Sequence, residues 1–143
     1  MQSFTRLKIN SLSLTRKIMP VRTENFNPIS DPKLLCTCGH PSCDKRSVNL
    51  STLRRVQRVR DIVNRPLTVN SGGRCPYHPN ETHRTTPADH QNRVGIDIGV
   101  SGGVERAEIV EAGLECGFNA IGVAKTFVHL GYREGEKLVM WVY

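Results

Sequence analysis

The stretch His90-Gln91-Asn92-Arg93-Val94-Gly95-Ile96-Asp97-Ile98-Gly99-Val100 decides how this chain is read. Its second half alternates in the manner of a half-buried strand, and Asp97 sits in the middle of it. A carboxylate there is costly unless a cation or hydrogen bonds compensate it. His90 ends the polar loop before the strand, and a second histidine, His129, lies inside the apolar run Phe127-Val128-His129-Leu130. Two imidazoles and one carboxylate make the three-ligand set of a catalytic zinc site whose fourth position stays open to water. Spacing alone leaves the ordinary alternative open, in which Asp97 caps a turn or pairs with Arg93 and His129 is a hydrogen-bonded core histidine.

Downstream of the strand, Ser101-Gly102-Gly103 is a turn signal that introduces a helix over about 104–116. Ala107, Val110 and Leu114 fall on its apolar face, Glu108, Glu111 and Glu115 face water, and Gly117 stands just past its end. Residues 120–123, 127–130 and 138–143 read as three closing strands. Upstream, the polar stretch 75–93 is a long surface loop of the functional kind, carrying His78 and His83. Before it, Leu67-Thr68-Val69-Asn70 is a short strand running into the turn Ser71-Gly72-Gly73-Arg74. A helix over about 50–64 starts at an Asn49 or Ser51 cap, packs through Leu53, Val56, Val59 and Val63, and ends before Pro66. The fold class expected is α+β, a small antiparallel sheet with helices packed on one side.

The chain has 143 residues, 38% hydrophobic and 23% charged, as one ordinary globular domain would. No apolar run is long enough to span a bilayer, and the N-terminus lacks the apolar core of a secretory signal, so the expectation is a cytoplasmic product, a monomer, with no membrane partner. Arg6, Lys8, Arg16, Lys17 and Arg22 precede the first acidic residue, Glu24, within a net charge of +7. Residues 1–33 are therefore expected to be a basic, poorly ordered extension, with a second possible start at Met19, and residues 34–143 the domain. Five cysteines without a signal sequence argue for reduced thiols. Cys36, Cys38, His40 and Cys43 crowd one loop and offer a second, structural metal site, with Cys75 or His78 available to complete it; free thiols or a Cys36–Cys43 disulfide are the alternatives. Cys116 reads as a small core residue.

The order Ser71-Gly72-Gly73-Arg74-Cys75-Pro76, then His90 with Asp97 seven residues on, then Gly117-Phe118 and Gly122, then Phe127-Val128-His129-Leu130 and a closing Trp141 resembles the D-Ala-D-Ala carboxypeptidase family of zinc peptidases. That VanY-like family shares its fold with the hedgehog signalling domain, and the Cys36-Thr37-Cys38-Gly39 lead-in is similar to small phage and bacterial single-domain members. The resemblance covers about residues 34–143. It implies zinc on His90, Asp97 and His129, Arg74 with Ser71 at the substrate carboxylate, and metal-assisted hydrolysis of peptidoglycan stem peptides, by a carboxypeptidase or an endolysin-like endopeptidase acting on the wall after release. Arg74 suits a terminal carboxylate because its planar fork bonds in pairs.

The chain departs from the family pattern. Ala88 replaces a usual serine, and Arg93 a usual glycine. The acidic residue expected three positions before the last histidine or two after it is absent, those positions being Thr126 and Gly131. Glu134, Glu136 and Asp89 are the remaining candidates for the general base. A zinc-binding wall-peptide or virion module without catalysis is the second reading. A basic, zinc-stabilised nucleic-acid binder is the third, and nucleic acid is not the expected partner because no recognition motif or exposed aromatics accompany the basic residues.

Overall fold

The computed structural model describes residues 21–143. After a short 3-10 turn at Pro32–Leu34 come α1 (Leu50–Val63), β1 (Thr68–Ser71), β2 (Gly95–Gly99), α2 (Gly103–Glu115), β3 (Ala120–Val123), β4 (Phe127–Gly131) and β5 (Val139–Val142). Helix α1 begins where the Asn49 side chain accepts a hydrogen bond from the Thr52 amide at 2.9 Å, and it closes on Asn64 in the left-handed region at φ 54°. Among the described residues no helix is long and apolar enough to cross a membrane.

The five strands form one sheet in the order β1-β2-β4-β3-β5. Four strands pair antiparallel as expected, but β5 joins β3 in parallel, so the sheet is mixed. The period of two then sorts the faces. Val69, Ile96, Ile98, Ile121, Val128 and Leu130 point into one core shared with Leu53, Val56 and Val59 of α1 and Ile109 and Ala112 of α2.

Two expectations change. The packed face of α2 is Ile109, Ala112, Gly113 and Cys116, whereas Ala107 and Leu114 are exposed and Val110 is only half-buried. The reason is closeness of approach: a Cβ on Gly113 would lie 2.7 Å from Leu130 Cδ2, so the helix settles on the face that carries its smallest residue. Residues 21–33, expected within the extension, pack on the domain. Phe26 is buried in the core, and Thr23 Oγ1 and the Asn25 amide donate to Gln57 Oε1 at 3.0 and 2.8 Å. Residues 1–20, with most of the basic extension, lie outside the described residues.

Candidate metal centre

The face of the sheet opposite the core carries the chemistry. Register places Ser71 opposite Asp97, Asp97 opposite His129, His129 opposite Gly122, and Gly122 opposite Trp141, a single row across all five strands. Ser71 enters that row because the register shifts between Val69 and Ser71, an irregularity that re-aims a side chain beside the site. His90 comes from the loop before β2, and its Nδ1 lies 2.7 Å from the Gly72 carbonyl oxygen. A carbonyl only accepts, so Nδ1 carries the proton and Nε2 presents its lone pair to the site.

His90 Nε2 lies 3.3 Å from Asp97 Oδ1, and His129 Nδ1 lies 2.9 Å from the same oxygen. One donor atom from each of the three side chains falls within 4.8 Å of the other two. Tetrahedral zinc with nitrogen and oxygen donors at about 2.0–2.1 Å needs donor separations of about 3.3 Å, so the trio fits the ion with only small adjustments. All three are nearly inaccessible to solvent, at 7%, 5% and 2% for His90, Asp97 and His129, yet they line a cleft of about 640 Å³. Arg93, the alternative partner of Asp97, is exposed, makes no ion pair with it, and sits in the left-handed region at φ 64°, a conformation that favours glycine.

Behind the trio stands a second set of contacts. His129 Nε2 lies 2.8 Å from Asp89 Oδ2, and Arg133 donates to Asp89 from Nε at 2.8 Å and from Nη2 at 3.2 Å. This carboxylate–histidine pair fixes the ring with Nδ1 toward the site. Burial alone would lower the pKa of His129, but its bonds to Asp89 and Asp97 prevail and raise it above the usual histidine range. Burial would raise Asp89, and the bonds from His129 and Arg133 instead bring it down to about 2. Asp97 is held well below the carboxylate range against the same burial by His129 and His90.

Asp89 also explains the missing acid at position 131. Gly95 and Gly131 face each other in register, and a Cβ on Gly131 would lie 2.5 Å from Asp89 Oδ2. The carboxylate of Asp89 occupies the space that a side chain at 131 would need. Gly131→Ala is therefore expected to displace Asp89 from His129 and weaken zinc binding by roughly 10–100-fold, the usual effect of losing an outer partner. Chelator competition on the purified variant measures this, and an unchanged zinc affinity counts against it.

Of the other sequence candidates, Arg74 and Ser71 are brought together at the site: Arg74 Nε donates to Ser71 Oγ at 3.0 Å, Nη2 to Asp97 Oδ2 at 3.4 Å, and Nη1 to Glu81 Oε2 at 3.4 Å. Glu134 and Glu136 are not brought there. Both are exposed and line a neighbouring hollow with Pro87, Asn92 and Tyr132. His83 is exposed on the cleft rim, and His78 accepts a bond from the Asn80 amide. Sequence reading missed Glu81, Arg84 and Arg133, which line the cleft. Glu81 is buried at 2% exposure between Arg74, Arg84 and Gln91, and its partners span a loop whose course no periodicity announces.

In the cysteine loop, the four sulfurs that come together are Cys36, Cys38, Cys43 and Cys75. His40 leaves this group: its ring stacks on Tyr77 with centroids 4.3 Å apart, and its Nδ1 accepts from the Ser42 amide.

A histidine and a carboxylate on a sheet face with a second histidine from the adjoining loop, opening on an arginine-lined cleft, are a donor set suited to a hydrolytic zinc ion. No curated protein matches the chain significantly. A family model described as Peptidase M15 matches residues 29–131, a span that holds the whole ligand trio, Arg74 and four of the five strands. Well over half of the sequence lies under that match, and the chain accordingly belongs to the Peptidase M15 family of zinc peptidases.

Proposed function

We propose that this chain is a zinc-dependent peptidase of peptidoglycan stem peptides, cutting as a D-Ala-D-Ala carboxypeptidase beside a free terminal carboxylate. The observation that carries this reading is the convergence of His90 Nε2, Asp97 Oδ1 and His129 Nδ1 in a cleft that Arg74, Arg84 and Arg133 also line. What zinc supplies when held there is Lewis acidity toward water and a peptide carbonyl. Arg74 steadies Asp97 through its second oxygen and offers its remaining donor capacity to an anionic substrate end. Asp89 holds the ring of His129 from the side opposite Nδ1, so it orients a ligand and lies too far round the ring to take a proton from water at the metal. Glu81 is the carboxylate, among the described residues lining the cleft, that neither belongs to the trio nor sits behind His129; proton uptake is assigned to it.

The test uses synthetic stem peptides with free and amidated C-termini, with and without chelation. Release of terminal D-Ala from the free acid alone, lost on chelation and restored by zinc, is the expected result. Equal cleavage of both peptides moves the activity to an endopeptidase. Tight zinc without any hydrolysis leaves a binding module and sinks the proposal.

The raised pKa of His129 gives a pH dependence with a definite sign. In the metal-free chain its ion pairs contribute stability below the free value of 6.5, and the contribution disappears as pH rises through the raised value. Zinc binding runs the other way, because Nδ1 must shed its proton, so affinity grows by up to about tenfold per pH unit below that pKa. The increase in Tm that a fixed zinc concentration produces is expected to widen as pH rises from below 6.5 toward the raised value. Thermal unfolding with and without zinc checks it, and a pH-independent increment contradicts it.

A further inference from the structure

We propose that Cys36, Cys38, Cys43 and Cys75 hold a second zinc ion, structural and separate from the catalytic cleft. Their sulfur atoms all lie within 4.8 Å of one another, with Cys38 and Cys75 at 3.4 Å. A tetrahedron of thiolates about 2.3 Å from zinc has edges of about 3.8 Å, so the group is already gathered to the size the ion requires. None of the four is in a disulfide.

The backbone prepares these sulfurs for negative charge. The Cys75 amide donates to Cys36 Sγ at 3.2 Å, the His40 amide to Cys38 Sγ at 3.5 Å, and the Lys45 amide to Cys43 Sγ at 3.3 Å. Three of the four sulfurs thus accept an N–H, two of them from the residue two positions on. A neutral thiol is a weak acceptor, whereas a metal-bound thiolate is deprotonated and gains from each such donor. The turns that deliver these amides pass through Gly39 at φ 72° and Lys45 at φ 51°. Four protein donors leave no open position, which makes the site structural rather than catalytic.

Its place in the chain says what it fastens. Cys75 directly follows Arg74, whose amide donates to the His90 carbonyl at 3.1 Å, and the Gly73 amide donates to the Leu34 carbonyl at 3.1 Å. The ion ties the loop of residues 36–43 to the segment that carries Arg74 and the Gly72 carbonyl orienting His90.

The experiment measures metal in the full chain. The unmutated protein is expected to hold two zinc ions per chain, and the His90→Ala/His129→Ala variant to keep one. Replaced by cobalt, that remaining ion should show intense sulfur-to-cobalt charge transfer, a band that Cys38→Ser in the otherwise native chain abolishes while leaving one metal ion in the cleft. A folded His90→Ala/His129→Ala chain without metal overturns the proposal, as does a Cys38–Cys75 disulfide in the native protein. If substitutions compromise folding, the unmutated chain decides: two bound cobalt ions with no thiolate charge transfer refute the site, and a strong band supports it.

Discussion

His129→Ala is expected to lose the zinc of the cleft and to reduce peptidase turnover by roughly 10³-fold or more, the several kcal/mol that a Lewis acid contributes to a hydrolytic transition state. The size of the effect follows from where the ring sits. His129 is 2% exposed, bonds Asp97 through Nδ1 and Asp89 through Nε2, and so joins the ligand set to its outer support. Removing it also takes one hydrogen-bond partner from each of two buried carboxylates, leaving Asp89 to Arg133 and Asp97 to Arg74 and His90, and the variant is expected to be less stable than the metal-free native chain. Metal analysis and stem-peptide hydrolysis on the same preparation measure both effects. His83→Ala, an exposed cleft histidine outside the trio, serves as the control and should change turnover by no more than about threefold, as exposed substitutions usually do. Equal losses in the two variants would detach the activity from the proposed centre.

Two of the three residues that converge at the candidate centre, Asp97 and His129, were legible because they lie on regular elements. Asp97 and His129 interrupt apolar strands at even spacing, so once β2 and β4 pair, both must share the face away from the core. The helices and most strand positions were legible for the same reason. What stayed hidden depends on contacts that periodicity does not encode. Asp89 and Arg133 meet across 44 positions, and Asp89 reads in sequence as a surface charge beside a ligand until Gly95 and Gly131 are seen to clear room for it. The buried face of α2 was misassigned because Gly113, which hydropathy ranks low, is the residue that permits close packing. The parallel placement of β5 follows from the long return after β4, where Asn119 donates to the carbonyls of Arg133 and Glu136 and pins the loop, a tertiary detail without a local signal. In the lead-in, prolines and basic charge obscured Phe26, whose burial belongs to the domain.

Glu81→Gln is expected to keep the cleft zinc and lower kcat by about 10²–10⁴-fold, the usual worth of a placed proton acceptor. The argument is one of elimination and spare capacity. Asp97 belongs to the proposed metal-binding trio, Asp89 is turned to the far nitrogen of His129, and Glu134 and Glu136 face a different hollow. Glu81 lines the cleft, and its three protein contacts are long, 3.4 Å to Arg74, 3.4 Å to Arg84 and 3.3 Å to Gln91. A carboxylate accepts about four hydrogen bonds, so one lone pair remains for water. The amide of glutamine preserves shape and most of the bonding while removing basicity. If Glu81 only positions Arg74, the same substitution raises KM and leaves kcat nearly intact, because Arg74 then loses hold of the substrate carboxylate rather than the reaction losing its base. A kcat within about threefold of the native enzyme would remove Glu81 from the chemistry.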